Sequence, residues 1–267
     1  MTMGSAPTVA EVMRALDAIA PPHLALDADP RGLLVGDLAA PVSLVLVALD
    51  VTSEIARLAS SQGAEMILAH HPLIYHPLRT VRAEEAHPGG VVLHCARHGI
   101  AVACAHTNWD IAPGGINDVL ARLVGIEGVA RPLRITFRDS QTETATEYGL
   151  GRIGQRTIPT SAEAFLEQVK QALNFPEVRM VGPRDRPIRT VAVGGGACAE
   201  LLPDAIAQGA DALVTSDVRH HEFVDAAARD FVLLDAGHAA TETPGTEELA
   251  RRLSEALAPG IRVRFIR

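Results

Sequence analysis

The spacing of apolar residues divides the chain into short strands and amphipathic helices in regular alternation. Val9, Val12, Met13, Leu16 and Ile19 recur at the helical period and stop before Pro21-Pro22, which predicts a helix over residues 9–19. The β-branched run at 42–49 has the length of a buried strand. Ser53 is placed to cap a helix ending near Gly63, and Met66-Ile67-Leu68 is a second strand running straight into His70-His71. A helix over 90–98, a strand over 100–105 and a helix over 116–123 continue this strand–helix–strand rhythm, which predicts an α/β sheet. Between 129 and 158 the pattern is β-structure with polar breaks. A helix over 161–173 follows, with Phe165, Val169 and Leu173 on one face, and then a charged, proline-containing link at 184–189.

After that link the first pattern returns. Val191-Ala-Val193 is a strand, 199–208 a helix, and 212–215 a strand ending at Ser216-Asp217. A strand over 231–234 runs into His238-Ala-Ala-Thr-Glu242, then Pro244-Gly245 and a helix to 256. The text itself repeats: Gln62-Gly-Ala-Glu65 precedes the first histidine pair as Gln208-Gly-Ala-Asp211 precedes Ser216-Asp217. In each half a strand ends in His-x-x-x-Asp/Glu, at His106–Asp110 and at His238–Glu242, followed by Pro-Gly and a helix. This order predicts an ancient duplication, with one α/β repeat over 1–128 and a second over 129–267, and a pseudo-symmetric fold whose polar strand ends face one cleft.

Composition narrows the function. With 48% hydrophobic and 21% charged residues the chain is expected to be globular throughout. A net charge of -8 disfavours nucleic acid or an anionic membrane surface as partner. Aromatic residues are 3%, too few for a stacked surface that tracks nucleic-acid bases. Residues 1–6 contain no apolar core of a signal peptide, and the longest apolar run is too short to span a bilayer. Three cysteines with no close pair suit a reduced, cytoplasmic setting. Cys95, Cys104 and Cys198 lie in apolar contexts and read as core.

The 11 histidines are the better lead, because several sit beside acids at strand ends. Open α/β sheets place ligands at the carboxyl ends of their strands. Imidazole with carboxylate suits zinc, iron or manganese. Adjacent His70 and His71 point apart on a regular strand and would each hold a different ion. One carboxylate, Glu242 or Asp110, would bridge them, and two ions about 3.5–4 Å apart activate water and stabilise charge on a substrate. Pro244 predicts a helix starting there with Thr243 as its cap, leaving His238 and Glu242 in a loop. Gly194-Gly-Gly196 lacks dinucleotide-binding spacing and reads as a tight turn. His221 and Asp217, in Asp217-Val-Arg-His-His-Glu222, are candidates for a proton shuttle or a group that orients a ligand. His23 and His87 read as surface residues, His94 and His98 as an exposed helical pair, and His76 as a loop or substrate-edge residue.

Five motifs together, His70-His-Pro-Leu-Ile, His106-Thr-Asn-Trp-Asp-Ile-Ala-Pro-Gly-Gly-Ile-Asn-Asp118, Gly149-Leu-Gly-Arg-Ile-Gly154, Asp217-Val-Arg-His-His221 and Asp235-Ala-Gly-His-Ala-Ala-Thr-Glu242, resemble the Nif-three-like dinuclear metal-centre family. Its bacterial members are often named GTP cyclohydrolase 1 type 2 homologues. The resemblance spans nearly the whole chain and implies two intertwined, pseudo-symmetric α/β repeats with the metal site in the cleft between them. It implies two divalent ions held by His70, His71, Asp110, His238 and Glu242, with Glu242 bridging. It further implies His106 and His221 beside the metals as catalytic or substrate-pocket groups, and a ring-shaped homohexamer. The chain resembles the short form that lacks a large central domain. It departs from the pattern at Trp109, where relatives carry a smaller aliphatic residue beside Asp110, at Ser216 in place of glycine and at His220 in place of tyrosine. The expected activity is hydrolytic opening of the GTP imidazole ring with release of formate, and Arg152 or Arg219 would meet the triphosphate. A non-catalytic metal-binding scaffold or regulatory protein, and a phosphoesterase at the same metals, are the alternatives.

Overall fold

The structure, a computed structural model, describes residues 6–83, 88–140 and 146–267. His87 and residues 1–5, which bear on the surface-histidine and signal-peptide expectations, lie outside the described residues. By internal contact the chain forms two compact units, one of residues 1–112 with 246–267 and one of 113–245. These limits differ from the repeat limits read from the sequence, because the last segment of the chain joins the first unit's sheet.

In the first unit, α1 (Val9–Ile19) buries Val9, Val12, Met13 and Leu16, as its spacing predicts. It precedes the edge strand β1 (Gly32–Val35) and the fully buried β2 (Leu44–Ala48). Next come α2 (Ser53–Gln62), β3 (Met66–Ala69), α3 (Gly89–Arg97), β4 (Ala101–Cys104) and the one-turn α4 (Thr107–Ile111). Thr52, one residue earlier than expected, caps α2 by accepting the Ile55 N–H, and Gly63 ends it in the left-handed region. The chain's last strand, Arg262–Phe265, pairs parallel with β2, giving the order β1-β4-β3-β2-last strand. Strands β2, β3 and β4 are mutually parallel, and β1 is antiparallel to β4.

The second unit opens with α5 (Ile116–Leu123) and a long antiparallel hairpin of β5 (Glu127–Asp139) and β6 (Thr146–Ser161). Then follow α6 (Ala162–Ala172), β7 (Arg179–Val181), β8 (Pro187–Val193), α7 (Leu202–Ala207), β9 (Ala212–Thr215), α8 (His220–Ala228), β10 (Val232–Asp235) and α9 (His238–Ala256). The expected link at 184–189 is half strand, since a proline is tolerated at a strand's first residue. The sheet order is β5-β6-β8-β9-β10-β7, with β8, β9 and β10 parallel and β7 antiparallel to β10.

Each sheet therefore contains the same four-strand pattern: three parallel strands in chain order, closed by an antiparallel edge strand that precedes them. The repeated tetrapeptides do the same job in both. Glu65 accepts the N–H groups of Ser43 and Leu44 at 3.1 and 2.9 Å, fastening the start of β2. Asp211 accepts those of Arg189 and Thr190 at 2.9 and 2.8 Å on β8. Among the described residues, no helix is long and apolar enough to cross a membrane.

Candidate metal centre

The first unit gathers its histidines at the carboxyl ends of β3 and β4. Beyond β3 the N–H groups of His70 and His71 still donate to Ala48 and Leu49 at 3.1 and 2.9 Å, so both residues are held in the sheet's register. His70 is fully buried and its Nδ1 lies 2.8 Å from the Ala105 carbonyl oxygen. A carbonyl only accepts, so Nδ1 carries the proton and Nε2 keeps its lone pair. His71 Nδ1 lies 2.9 Å from Asp50 Oδ1, and His106 Nδ1 lies 2.7 Å from Asp29 Oδ1. Asp29 also takes the N–H and the hydroxyl of Thr107, at 3.2 and 2.6 Å. Burial works to raise the Asp29 carboxyl, but the bonds from His106 and Thr107 outweigh it and hold the group below its ordinary range. His70, His71 and His106 each bring a ring nitrogen within 4.8 Å of the others. His70 Nε2 is 3.5 Å from Asp110 Oδ1.

Asp110 reaches this position because His106-Thr-Asn-Trp-Asp is a helical turn. The N–H groups of Trp109 and Asp110 both donate to the His106 carbonyl, at 2.8 and 3.1 Å. Trp109, between them, is fully buried, with the Arg252 guanidinium 5.6 Å from its ring centre. It fills the core beside Asp110.

The second unit repeats the device with one histidine. The expected loop at His238–Glu242 is helix: α9 begins at His238 and Pro244 lies inside it. The proline removes one helical hydrogen bond, yet tertiary contacts hold the preceding turn. Thr241 N–H donates to Gly237 at 3.1 Å, and Thr241 Oγ1 accepts the N–H of Gly196 at 3.0 Å. The helical repeat puts His238 and Glu242 on one face, with Nε2 3.1 Å from Oε2. Asp217, in the left-handed region at φ 53, places Oδ2 2.6 Å from His238 Nδ1.

The tight turn expected at Gly194-Gly-Gly196 packs directly on this helix. A Cβ on Gly196, where φ is +66, would stand 2.1 Å from Glu242 Oε1 and 3.3 Å from His238 Nε2. Gly196→Ala is therefore expected to cost about 1–2 kcal/mol in backbone strain and to displace the Glu242 carboxylate. Thermal denaturation and metal content of the purified variant check both.

Four imidazoles thus share one arrangement, each with Nδ1 on a fixed acceptor and Nε2 directed elsewhere. That is the arrangement of a metal-ligating histidine oriented by an outer carboxylate or carbonyl. The Nε2–carboxylate separations of 3.5 and 3.1 Å are close to the edge of a coordination polyhedron, about 3.0–3.4 Å for ligands roughly 2.1 Å from one ion. The donors fit a divalent ion such as zinc, iron or manganese.

Other expected residues are placed differently. His221 is exposed on the first turn of α8 and belongs to neither cluster, and His220 beside it is also exposed. Ser216 is fully buried. Arg152 is no triphosphate contact: only 4% exposed, it is bound by Asp118 and by the carbonyls of Gly149 and Gly151. Arg219 is exposed and caps α8 together with Glu222. His94 and His98 stack at 4.1 Å, with His94 bonded to Ser60. Burial pushes the Cys95 and Cys104 thiols up to about 11 and about 12, as suits core positions. Sequence reasoning missed Asp29 and Asp50. Asp50 was open to discovery, since it follows the buried run of β2 at the functional end of the sheet; Asp29 carries no local signal.

Known proteins resemble this chain in sequence and, among solved structures, in fold. It is 36% identical over 252 residues to the GTP cyclohydrolase 1 type 2 homolog of Streptomyces coelicolor, covering 93% of this chain and 86% of that protein. It is 33% identical over 249 residues to the protein of the same name from Streptococcus pneumoniae, covering 92% and 89%. Among solved structures, the Bacillus cereus protein related to NIF3 superposes with a TM-score of 0.90 at 25% identity, over 98% of this chain and 97% of that one. Reduced HcgD from Methanocaldococcus jannaschii gives 0.79 at 28% identity over 97% of both. The family model for Duf34/NIF3 (NGG1p interacting factor 3) matches residues 7–267, so nearly the whole chain is accounted for by one family, and it belongs to Duf34/NIF3.

Proposed function

We propose that the chain is a dinuclear metal-dependent hydrolase that opens the imidazole ring of GTP and releases formate. The observation that carries this reading is the shared arrangement of four histidines, each fixed at Nδ1 so that Nε2 is the donor. The motif match assigns His70, His71, Asp110, His238 and Glu242 as ligands of two divalent ions, zinc, iron or manganese, with Glu242 shared. The names of the Streptomyces and Streptococcus relatives support the choice of GTP. The same match supports a homohexamer, and three cysteines with no close pair along the sequence support a cytoplasmic setting.

Two divalent ions, when bound, acidify water and neutralise charge that builds on the substrate. The chain's own groups do the rest. Ala105, Asp50 and Asp217 hold the ligand imidazoles in one tautomer and orientation. In each of the two hydrolyses that formate release requires, first of the ring and then of the resulting formamide, His106, braced by Asp29, takes a proton from the attacking water at Nε2, with the Asp29 carboxylate stabilising the imidazolium, and returns it to the departing nitrogen. His221 is assigned to substrate contact by the resemblance.

A scaffold or regulatory role is the second reading, favoured by the family description as an interacting factor. Elemental analysis with formate release from GTP, before and after chelation, separates the two. Both ions present with formate release that chelation abolishes and metal restores is the expected result. Both ions present with no formate overturns the cyclohydrolase reading and favours the scaffold or another hydrolytic substrate, such as a phosphoester.

A further inference from the structure

Aromatic side chains are rare here, with six Phe, two Tyr and one Trp in the chain. Among the described residues the most exposed of them is Tyr75, at 58%. It stands beside the first unit's histidine cluster: its ring is nearly perpendicular to that of His106, with centres 6.4 Å apart, and to that of His76, with centres 4.8 Å apart. A lone exposed tyrosine is ordinary on a protein surface, but this one is held out by its loop. Leu73 is buried at 3% and Ile74 packs on the same core, while Pro72 and Pro77 bracket the segment and restrict its backbone. Anchored on the core side and stiffened at both ends, the loop presents a flat apolar face next to a cluster of polar ring nitrogens. Such a face offers little to a phosphate and much to a planar heterocycle, which gains stacking without needing hydrogen bonds.

The geometry points to Tyr75 as a stacking platform that holds the purine ring of a nucleoside substrate beside His106. The identity of the ring rests on the proposed reading of the site; the platform rests on Tyr75 and its loop. Tyr75 offers no atom to the clusters described above, so its removal affects the binding of the heterocycle and leaves the metal in place.

The test is calorimetric titration of guanosine into the purified full-length protein, with ribose as the control lacking a planar ring. Wild type, Tyr75→Phe and Tyr75→Ala are compared, with metal content measured on the same samples. Guanosine is expected to bind wild type and Tyr75→Phe alike, and Tyr75→Ala weaker by about tenfold or more, with equal metal content and no binding of ribose. The platform is overturned if Tyr75→Ala binds guanosine as wild type does, if wild type does not bind it, or if Tyr75→Ala loses metal along with affinity, which would make the residue a support of the histidines. Guanosine binding that depends on Tyr75, in a metal-loaded protein releasing no formate from GTP, would instead sink the cyclohydrolase reading and leave the platform standing.

Discussion

Glu242→Gln is expected to yield a folded protein that has lost at least about 10²-fold in formate release and much of its metal. The carboxylate is 4% exposed and lies against His238 and the glycine turn at 194–196. Glutamine has nearly the same shape, so packing survives, but the negative charge that would neutralise divalent ions is gone. Stability supplies an independent readout with a defined sign. Added metal is expected to raise the melting temperature of wild type, with about 2.7 kcal/mol of stabilisation at a hundred times the dissociation constant, and to do so weakly or not at all in the variant. A variant that keeps full turnover would remove Glu242 from the site. A variant that loses metal while its state of assembly and any partner binding persist would speak for the scaffold reading.

Trp109→Ala is expected to cost about 3–5 kcal/mol, the range for deleting a large buried aromatic side chain. Trp109 is among the largest fully buried side chains, and the Arg252 guanidinium over its ring adds a cation–π contact. A drop of about 10 °C in melting temperature follows. Circular dichroism is the suitable probe, because the substitution removes the chain's single tryptophan and its fluorescence. The effect reaches the site through α4, whose one turn sets Asp110 against His70. Metal retention by the first unit should therefore fall in parallel with stability. Trp109→Phe, which keeps a ring in the cavity, is expected to recover about half of both.

Much of the architecture was legible because it is written in short-range periodicity. Helices α1 and α5 have the limits their apolar spacing predicts, and β3 runs into His70-His71 as expected. The elements that escaped notice are of two kinds. Strand β1 and the one-turn α4 have four and five residues, too few to establish a period; β1 exists because β4 offers it an antiparallel partner. The last strand, Arg262–Phe265, does alternate charged and apolar residues, so that signal was present and overlooked. The start of α9 was misplaced for another reason: Pro244 is a sound local signal for a helix's first turn, overridden by contacts of Thr241 with the glycine turn.

The donor types at the site follow from sequence alone. Imidazole and carboxylate side chains at strand ends, two of the pairs four residues apart, are donors that suit ions of the zinc, iron and manganese class. Which nitrogen each histidine offers was beyond reach of the sequence. The acceptors that fix Nδ1 lie 21 to 77 residues from their histidines, and hydrogen bonds at that separation carry no periodic signature. They exist only once the strands have paired and brought distant segments of the chain together, and that assembly turns a list of candidate ligands into oriented ones.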